Sequence, residues 1–184
     1  MRSHLLVFLV ISTLGLLSNR TASANDKPDR GADETIAMQL ASSYVEQQQI
    51  VRRNAPVHSA VQLAAFLAKT ISTESPINAL SPAAKARFVN SLRFNETGVT
   101  SFYYADIESE LSSSQAYELL SIFGLQSTLS VMPKLRASTQ EDKQIMSAFG
   151  RETASRIMAD HENYWCSGRA TCSRDVGSIC MSGC

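Results

Sequence analysis

The sequence has little of several features that mark particular classes of protein. Eight glycines and five prolines among 184 residues are too few for a collagen-like or low-complexity chain. Its 17 basic and 17 acidic side chains balance, so the chain has no excess of positive charge that would favour nucleic-acid binding. Phosphate-binding loops, dinucleotide fingerprints, zinc-protease helices and nucleophile elbows are all missing. We therefore predict a globular protein with no nucleic-acid partner, no cofactor, no catalytic residues and no enzymatic activity.

The N-terminus has the order of segments that is typical of a secretory signal peptide. Arg2 and His4 form a short basic region, residues 5–17 are largely apolar, and an Ala-Ser-Ala run at 22–24 supplies a cleavage site. A membrane span needs roughly 20 apolar residues, so the alternative of a retained anchor is disfavoured. We predict a signal peptide over residues 1–24, a secreted or periplasmic location, and no stable membrane anchor after cleavage.

The mature chain divides into three regions. Residues 25–33 are polar and contain a proline and a glycine, which predicts a flexible leader. Residues 34–160 show apolar residues at helical spacing, beginning with Ile36 and Leu40, and are predicted to form one helical domain. Residues 161–184 form a cysteine-rich C-terminal tail with three glycines, which predicts a loop-like structure.

Local start signals predict where several helices begin. Ser81 precedes a proline at the first helical position, where the missing N–H costs no hydrogen bond. Two further starts have the spacing of a capping box. These pairs are Ser112 with Gln115 and Ser138 with Glu141, and the second predicts a helix that runs to about Asp160.

The fold class follows from these helical signals. Residues 60–68 are apolar on nearly every side, which predicts a central helix. Residues 93–104 are ambiguous, since they fit either a small β-hairpin around a glycine turn or an irregular loop. The prediction is an all-α, single bundle-like domain of about five helices.

All four cysteines lie in the tail, with the spacing C-x5-C-x7-C-x3-C. The even number, the clustering and the export signal together predict two disulfides among Cys166, Cys172, Cys180 and Cys184. Three pairings satisfy this prediction, and the sequence leaves all three open. A zinc site is the rival interpretation, but only the last two cysteines approach the paired spacing of structural zinc. A reactive thiol is disfavoured as well, because no C-x-x-C redox pair is present. The spacing argument decides between the disulfides and the zinc site. We therefore predict no metal.

A cross-linked tail favours binding, since a preorganised surface loses less entropy on association. The candidate binding residues are Trp165, Arg169, Arg174 and Asp175. The plainer interpretation is that Tyr164 and Trp165 pack on the helical bundle and the disulfides fix the C-terminus. The predicted function is an exported, soluble helical protein that binds another protein or a surface component outside the cytoplasm.

Two other functions stay open at this point. The helical region of a precursor could escort a cysteine-rich peptide from about His161 to Cys184, later released as a toxin or signal. A hydrolase could use the acidic cluster at 106–110, where Asp106, Glu108 and Glu110 occupy alternate positions.

Overall fold

The computed structural model describes residues 30–69, 75–150 and 160–184. The predicted signal peptide over 1–24 lies outside the described residues, as do residues 25–29 of the predicted leader. The first helix begins at Arg30 and therefore includes the last residues of the stretch predicted as leader.

Six α-helices and four β-strands occur within these residues. The helices are α1 (Arg30–Arg53), α2 (Ala60–Lys69), α3 (Pro82–Ser91), α4 (Ala105–Glu110), α5 (Ser113–Ser121) and α6 (Gln140–Phe149). The strands are β1 (Arg93–Asn95), β2 (Gly98–Tyr103), β3 (His161–Gly168) and β4 (Thr171–Cys180). Two short 3-10 turns cover Pro76–Ala79 and Gln126–Val131.

The prediction of an all-α fold is wrong, because the four strands form one antiparallel sheet in the order β1-β2-β4-β3. The ambiguous segment 93–104 adopts the hairpin alternative, as β1 and β2. The larger error concerns the tail, where residues 161–180 form β3 and β4 instead of a loop. β4 also pairs with β2, and Ser101 lies opposite Cys180. The local composition did not indicate a strand here, because the hydrogen bonds that form it come from a segment far along the sequence.

The core lies between the sheet and the helices. Phe88 of α3 contacts Phe102 of β2 and Phe123 beyond α5, with edge-to-face ring centroids 5.9 and 5.6 Å apart. Such pairs contribute about 0.5–1.5 kcal/mol beyond their burial. The end of β4 joins this core through Ile179, and Met181 follows directly, with side chains 1% and 2% exposed. The C-terminal region is therefore part of the folded body.

Two of the three predicted helix starts are confirmed. The Ser81 hydroxyl accepts a hydrogen bond from the Ala84 N–H at 3.3 Å, at the start of α3. Ser112 and Gln115 form the predicted capping box at the start of α5.

The third start lies one residue later than predicted. Thr139 caps α6 and forms its capping box with Asp142, in place of the predicted Ser138 and Glu141. The Asp142 carboxylate accepts hydrogen bonds from the N–H groups of Ser114, Ser138 and Thr139 at 3.0, 3.1 and 3.0 Å. It also accepts from the Ser114 hydroxyl at 2.8 Å. One buried carboxylate thus joins the first turns of α5 and α6.

We expect Asp142→Asn to lower the melting temperature and to remove part of the acid sensitivity of the fold. Backbone hydrogen bonds from Thr139 and Ser114 hold the pKa of Asp142 well below its ordinary value of 3.8. Because the folded pKa is depressed, this carboxylate stabilises the fold above pH 3.8, and the contribution is lost as the pH falls below that value. Thermal melts at neutral pH and from about pH 4 to about pH 2 measure both effects.

The matched control is Glu141→Gln, which neutralises the adjacent, exposed carboxylate. It should melt close to the wild-type temperature. If Glu141→Gln and Asp142→Asn lowered the melting temperature equally, the role assigned to Asp142 would be wrong.

The extents and burial of two other helices differ from the prediction. α6 ends at Phe149 with Gly150 as its C-cap, so it stops well before Asp160, and residues 151–159 lie outside the described part. α2 is not the central helix predicted for 60–68, since Leu63 is its buried residue and Val61 is 80% exposed.

Helix α1 buries a different face from the one that its periodicity indicated. Ile36 and Leu40, the first of the apolar residues at helical spacing, have side chains that are 55% and 61% exposed. Arg52 is 2% exposed instead. The C-terminal end of α1 passes so close to Gly98 and Gly124 that a Cβ at either glycine would approach its backbone to 3.0 Å or less. A pattern of apolar residues shows that a helix has a face, but not which elements cover it.

Candidate functional site at the C-terminal hairpin

The C-terminal hairpin, residues 161–184, folds back on itself. The Cα atoms of Cys172 and Cys180 are 6.0 Å apart although eight residues separate them in the sequence. Eight residues of straight strand would span about 26 Å. The bend occurs where Asn163 of β3 and Gly177 of β4 both have positive φ, 65° and 87°. The bend turns the outer half of the hairpin, residues 164–176, back toward the end of the chain.

Side-chain and backbone hydrogen bonds hold this bend. The Asn163 side-chain oxygen accepts from the Gly177 N–H at 3.1 Å and from the Tyr104 hydroxyl at 3.4 Å. The Tyr104 N–H donates to the Gly177 carbonyl at 2.7 Å. A Cβ at position 177 would lie 2.8 Å from the Tyr103 ring and from the Ala105 Cβ. Position 177 therefore requires glycine for both its φ and its surroundings.

The prediction of two disulfides is confirmed, and the fold selects one pairing. Cys166 bonds to Cys184, and Cys172 bonds to Cys180. Cys166 and Cys172 lie opposite each other across the hairpin, yet each bonds to a cysteine further along the chain. The sulfur atoms of Cys166, Cys180 and Cys184 all lie within 4.8 Å of one another. The two bridges therefore form one sulfur cluster.

The end of the chain is fixed to the body as well as cross-linked. A guanidinium nitrogen of Arg52 donates to the Ser182 carbonyl at 2.6 Å, and the Ser182 N–H donates to the Asp160 carboxylate at 2.8 Å. The Asn95 amide donates to the Gly183 carbonyl at 2.5 Å. Burial lowers the pKa of Arg52, and the nearby Asp160 carboxylate opposes that shift. A buried arginine and a carboxylate thus hold the backbone of Ser182, one at its carbonyl and the other at its N–H.

Trp165, one of the predicted binding residues, belongs to β3, and its ring contacts Arg93 of β1. The Arg93 guanidinium carbon sits 5.2 Å from the centroid of the Trp165 ring, within cation–π range. The Trp165 side chain is half-buried. This contact fastens the outer half of the hairpin to β1.

The other predicted binding residues are exposed on the hairpin. Arg169 lies in the turn between β3 and β4, and Arg174 lies opposite Tyr164, which is 38% exposed. Residues directly opposite on neighbouring strands share a face of the sheet. Asp175 accepts a hydrogen bond from the Ser178 hydroxyl at 2.6 Å, which orients its carboxylate within the bend.

Sequence reasoning missed three residues of this region. Val176 is 68% exposed at the bend. Asn163 and Arg52 fix the shape and position of the hairpin through the contacts described above. A lone valine in a polar tail is a weak signal for Val176. The other two carried no local signal, because their partners lie far along the sequence.

The acidic cluster at 106–110 forms part of helix α4, and each of its carboxylates bonds to a residue outside that helix. The hydrogen-bond partners are the Arg87 guanidinium for Asp106, the Lys134 N–H for Glu108, and the N–H and hydroxyl of Ser81 for Glu110. These contacts join α3, α4 and the segment that precedes α6.

Comparison of the chain with protein-family models, curated proteins and solved structures finds no match. Within residues 30–69, 75–150 and 160–184, no helix combines the length and apolarity that a membrane span needs.

Proposed function

We propose that this chain is an exported protein that binds another protein, or a surface component, outside the cytoplasm, and that the C-terminal hairpin is its binding surface. The observation that carries the proposal is the combination of two disulfides, a hydrogen-bonded bend and exposed side chains in one hairpin. A surface fixed in its bound shape loses less conformational entropy on association.

The disulfides also support a location outside the cytoplasm. Disulfides form and persist in oxidising compartments and are rare where thiol reductants are abundant. The signal-like segment over residues 1–24 supports the same location from the other end of the chain.

The exposed chemistry of the hairpin fits a protein partner. Tyr164 and Arg174 share one face, Arg169 projects at the tip, and Val176 adds apolar surface at the bend. Tyrosine and arginine are among the residues that most often dominate binding energy at protein interfaces. Trp165 supports this surface and is not part of it, because its ring contacts the Arg93 guanidinium.

The fold favours this proposal over the two alternatives. Release of a peptide from about His161 would remove Ile179 and Met181 from the core and strip β4 from β2. The three carboxylates of the acidic cluster are engaged in joining elements, which supports a structural role for them.

The test is capture by the oxidised mature chain, residues 25–184, from periplasm or culture medium of its host. We expect Arg169→Ala combined with Arg174→Ala to reduce the captured partner at least about tenfold. The matched control combines Arg53→Ala with Lys143→Ala, two exposed cations on helices, and should leave capture unchanged. Equal capture by both double variants would contradict the assignment of the hairpin. A released fragment of about 24 residues in secreted material would contradict the proposal of an intact binding protein.

A further inference from the structure

The four cysteines of the hairpin form a closed ring in space. Cys166 faces Cys172 across the ladder, Cys172 lies beside Cys180 with Cα atoms 6.0 Å apart, and Cys184 lies beside Cys166 with Cα atoms 5.6 Å apart. The sulfurs of Cys180 and Cys184, which belong to different bridges, lie within 4.8 Å of each other and close the ring.

This arrangement is close to what a tetrahedral thiolate site requires. Zinc–sulfur bonds of about 2.3 Å place the sulfurs of such a site about 3.8 Å apart. Three of the four sulfurs already lie within 4.8 Å of one another, and the fourth, that of Cys172, is bonded to one of them. Once the bridges are open, rotation about each Cα–Cβ bond adjusts the remaining distances.

Contacts that do not involve sulfur hold the backbone around the ring. Asn163 and Tyr104 hold the bend through Gly177, and the Ala170 N–H donates to the carbonyl of Cys184 at 2.7 Å. Arg52 and Asp160 fix the backbone of Ser182, two residues before the last cysteine. These hydrogen bonds remain available to the chain when the disulfides are reduced.

We propose that reduction converts the two disulfides into a four-thiolate site for a thiophilic metal ion, with zinc as the ion of choice. Two molecules of a dithiol reductant each give up two electrons and two protons and become disulfides, while the two sulfur–sulfur bonds of the hairpin become four thiols. Binding of one Zn²⁺ then releases the four thiol protons. The hairpin keeps its fold in both redox states, with a metal in one and bridges in the other.

The sequence offered zinc only as the rival interpretation and predicted no metal, because the cysteine spacing lacks the paired C-x2–4-C signature of structural zinc. The fold supplies the proximity that the spacing does not, through the bend at Asn163 and Gly177. The inference is independent of the binding role proposed above, which concerns the oxidised hairpin.

The test uses the mature chain, reduced with a water-soluble phosphine and freed of reductant without oxygen. Titration with Co²⁺ should give one ion per chain, with the visible absorption of tetrahedral thiolate-bound cobalt. Zn²⁺ should displace the cobalt with a dissociation constant below about 0.1 µM. The oxidised chain should bind neither ion, and Cys180→Ser should weaken binding of the reduced chain by about 100-fold or more.

A variant that disturbs the bend but keeps the cysteines distinguishes a preorganised metal site from four independent thiols. Asn163→Ala keeps all four cysteines but removes the side chain that holds the bend, and we expect zinc binding about tenfold weaker or more. Val176→Ala, an exposed change in the same hairpin, should bind as the wild type does. As a second readout, bound zinc should protect the four thiols from an alkylating reagent. Equal affinity of Asn163→Ala and wild type, or zinc that leaves the four thiols reactive, would overturn the proposal.

Discussion

A chain in which Cys166 and Cys184 are both replaced by alanine is expected to lose about 3 kcal/mol of its free energy of unfolding. The bridge joins residues 18 apart in the sequence, and the entropy that a bridge removes from the unfolded chain grows with the length of the loop it closes. For a chain of this size, the change corresponds to a fall in melting temperature of roughly 6–12 °C.

The second bridge provides the matched control for this prediction. Cys172 and Cys180 are only eight residues apart, so replacing both by alanine should cost about 2.5 kcal/mol on the same reasoning. Urea unfolding of the oxidised proteins measures both losses. A greater loss from the shorter loop, or no loss from either, would contradict the entropic account of the hairpin.

Arg52→Ala is expected to destabilise the protein by about 3 kcal/mol, with a fall in melting temperature of roughly 6–12 °C. Arg52 is 2% exposed and is the donor to the Ser182 carbonyl. Its removal takes away a charged hydrogen bond, leaves a cavity, and removes the favourable interaction of its charge with the Asp160 carboxylate. Thermal and urea unfolding measure the loss.

Arg53→Ala is the control for that prediction, because Arg53 is the adjacent arginine in the last turn of α1 but is exposed. Its change should stay within about 0.5 kcal/mol. Hydrogen exchange adds a local readout, since the Ser182 amide should lose protection in Arg52→Ala and keep it in Arg53→Ala. Equal destabilisation by the two variants would show that Arg52 does not hold the end of the chain.

Features that depend on near neighbours could be predicted from the sequence. The capping box of Ser112 and Gln115 involves residues three apart, and the start at Ser81 requires only the following turn. The glycine turn of the first hairpin was one of two local alternatives for residues 93–104. The presence of disulfides followed from the number, clustering and context of the cysteines.

Features that depend on distant partners could not be predicted. β4 is a strand because its end pairs with β2, so Cys180 lies opposite Ser101, far along the sequence. The pairing of the bridges depends on the bend at Asn163, whose partners lie on other segments. No local pattern singled out Arg52, and its burial follows from its contact with the end of the chain. Periodicity and composition describe one element at a time, whereas these residues are fixed by contacts between elements.

Disulfide mapping of the oxidised protein from its natural host tests the central claim most directly. Trypsin cleaves after Arg169 and Arg174, and cyanogen bromide cleaves after Met158 and Met181, so each cysteine falls in a separate peptide. The folded-back hairpin predicts that peptide 159–169 is linked to peptide 182–184, and peptide 170–174 to peptide 175–181. A link between 159–169 and either 170–174 or 175–181, or four free thiols, would contradict it.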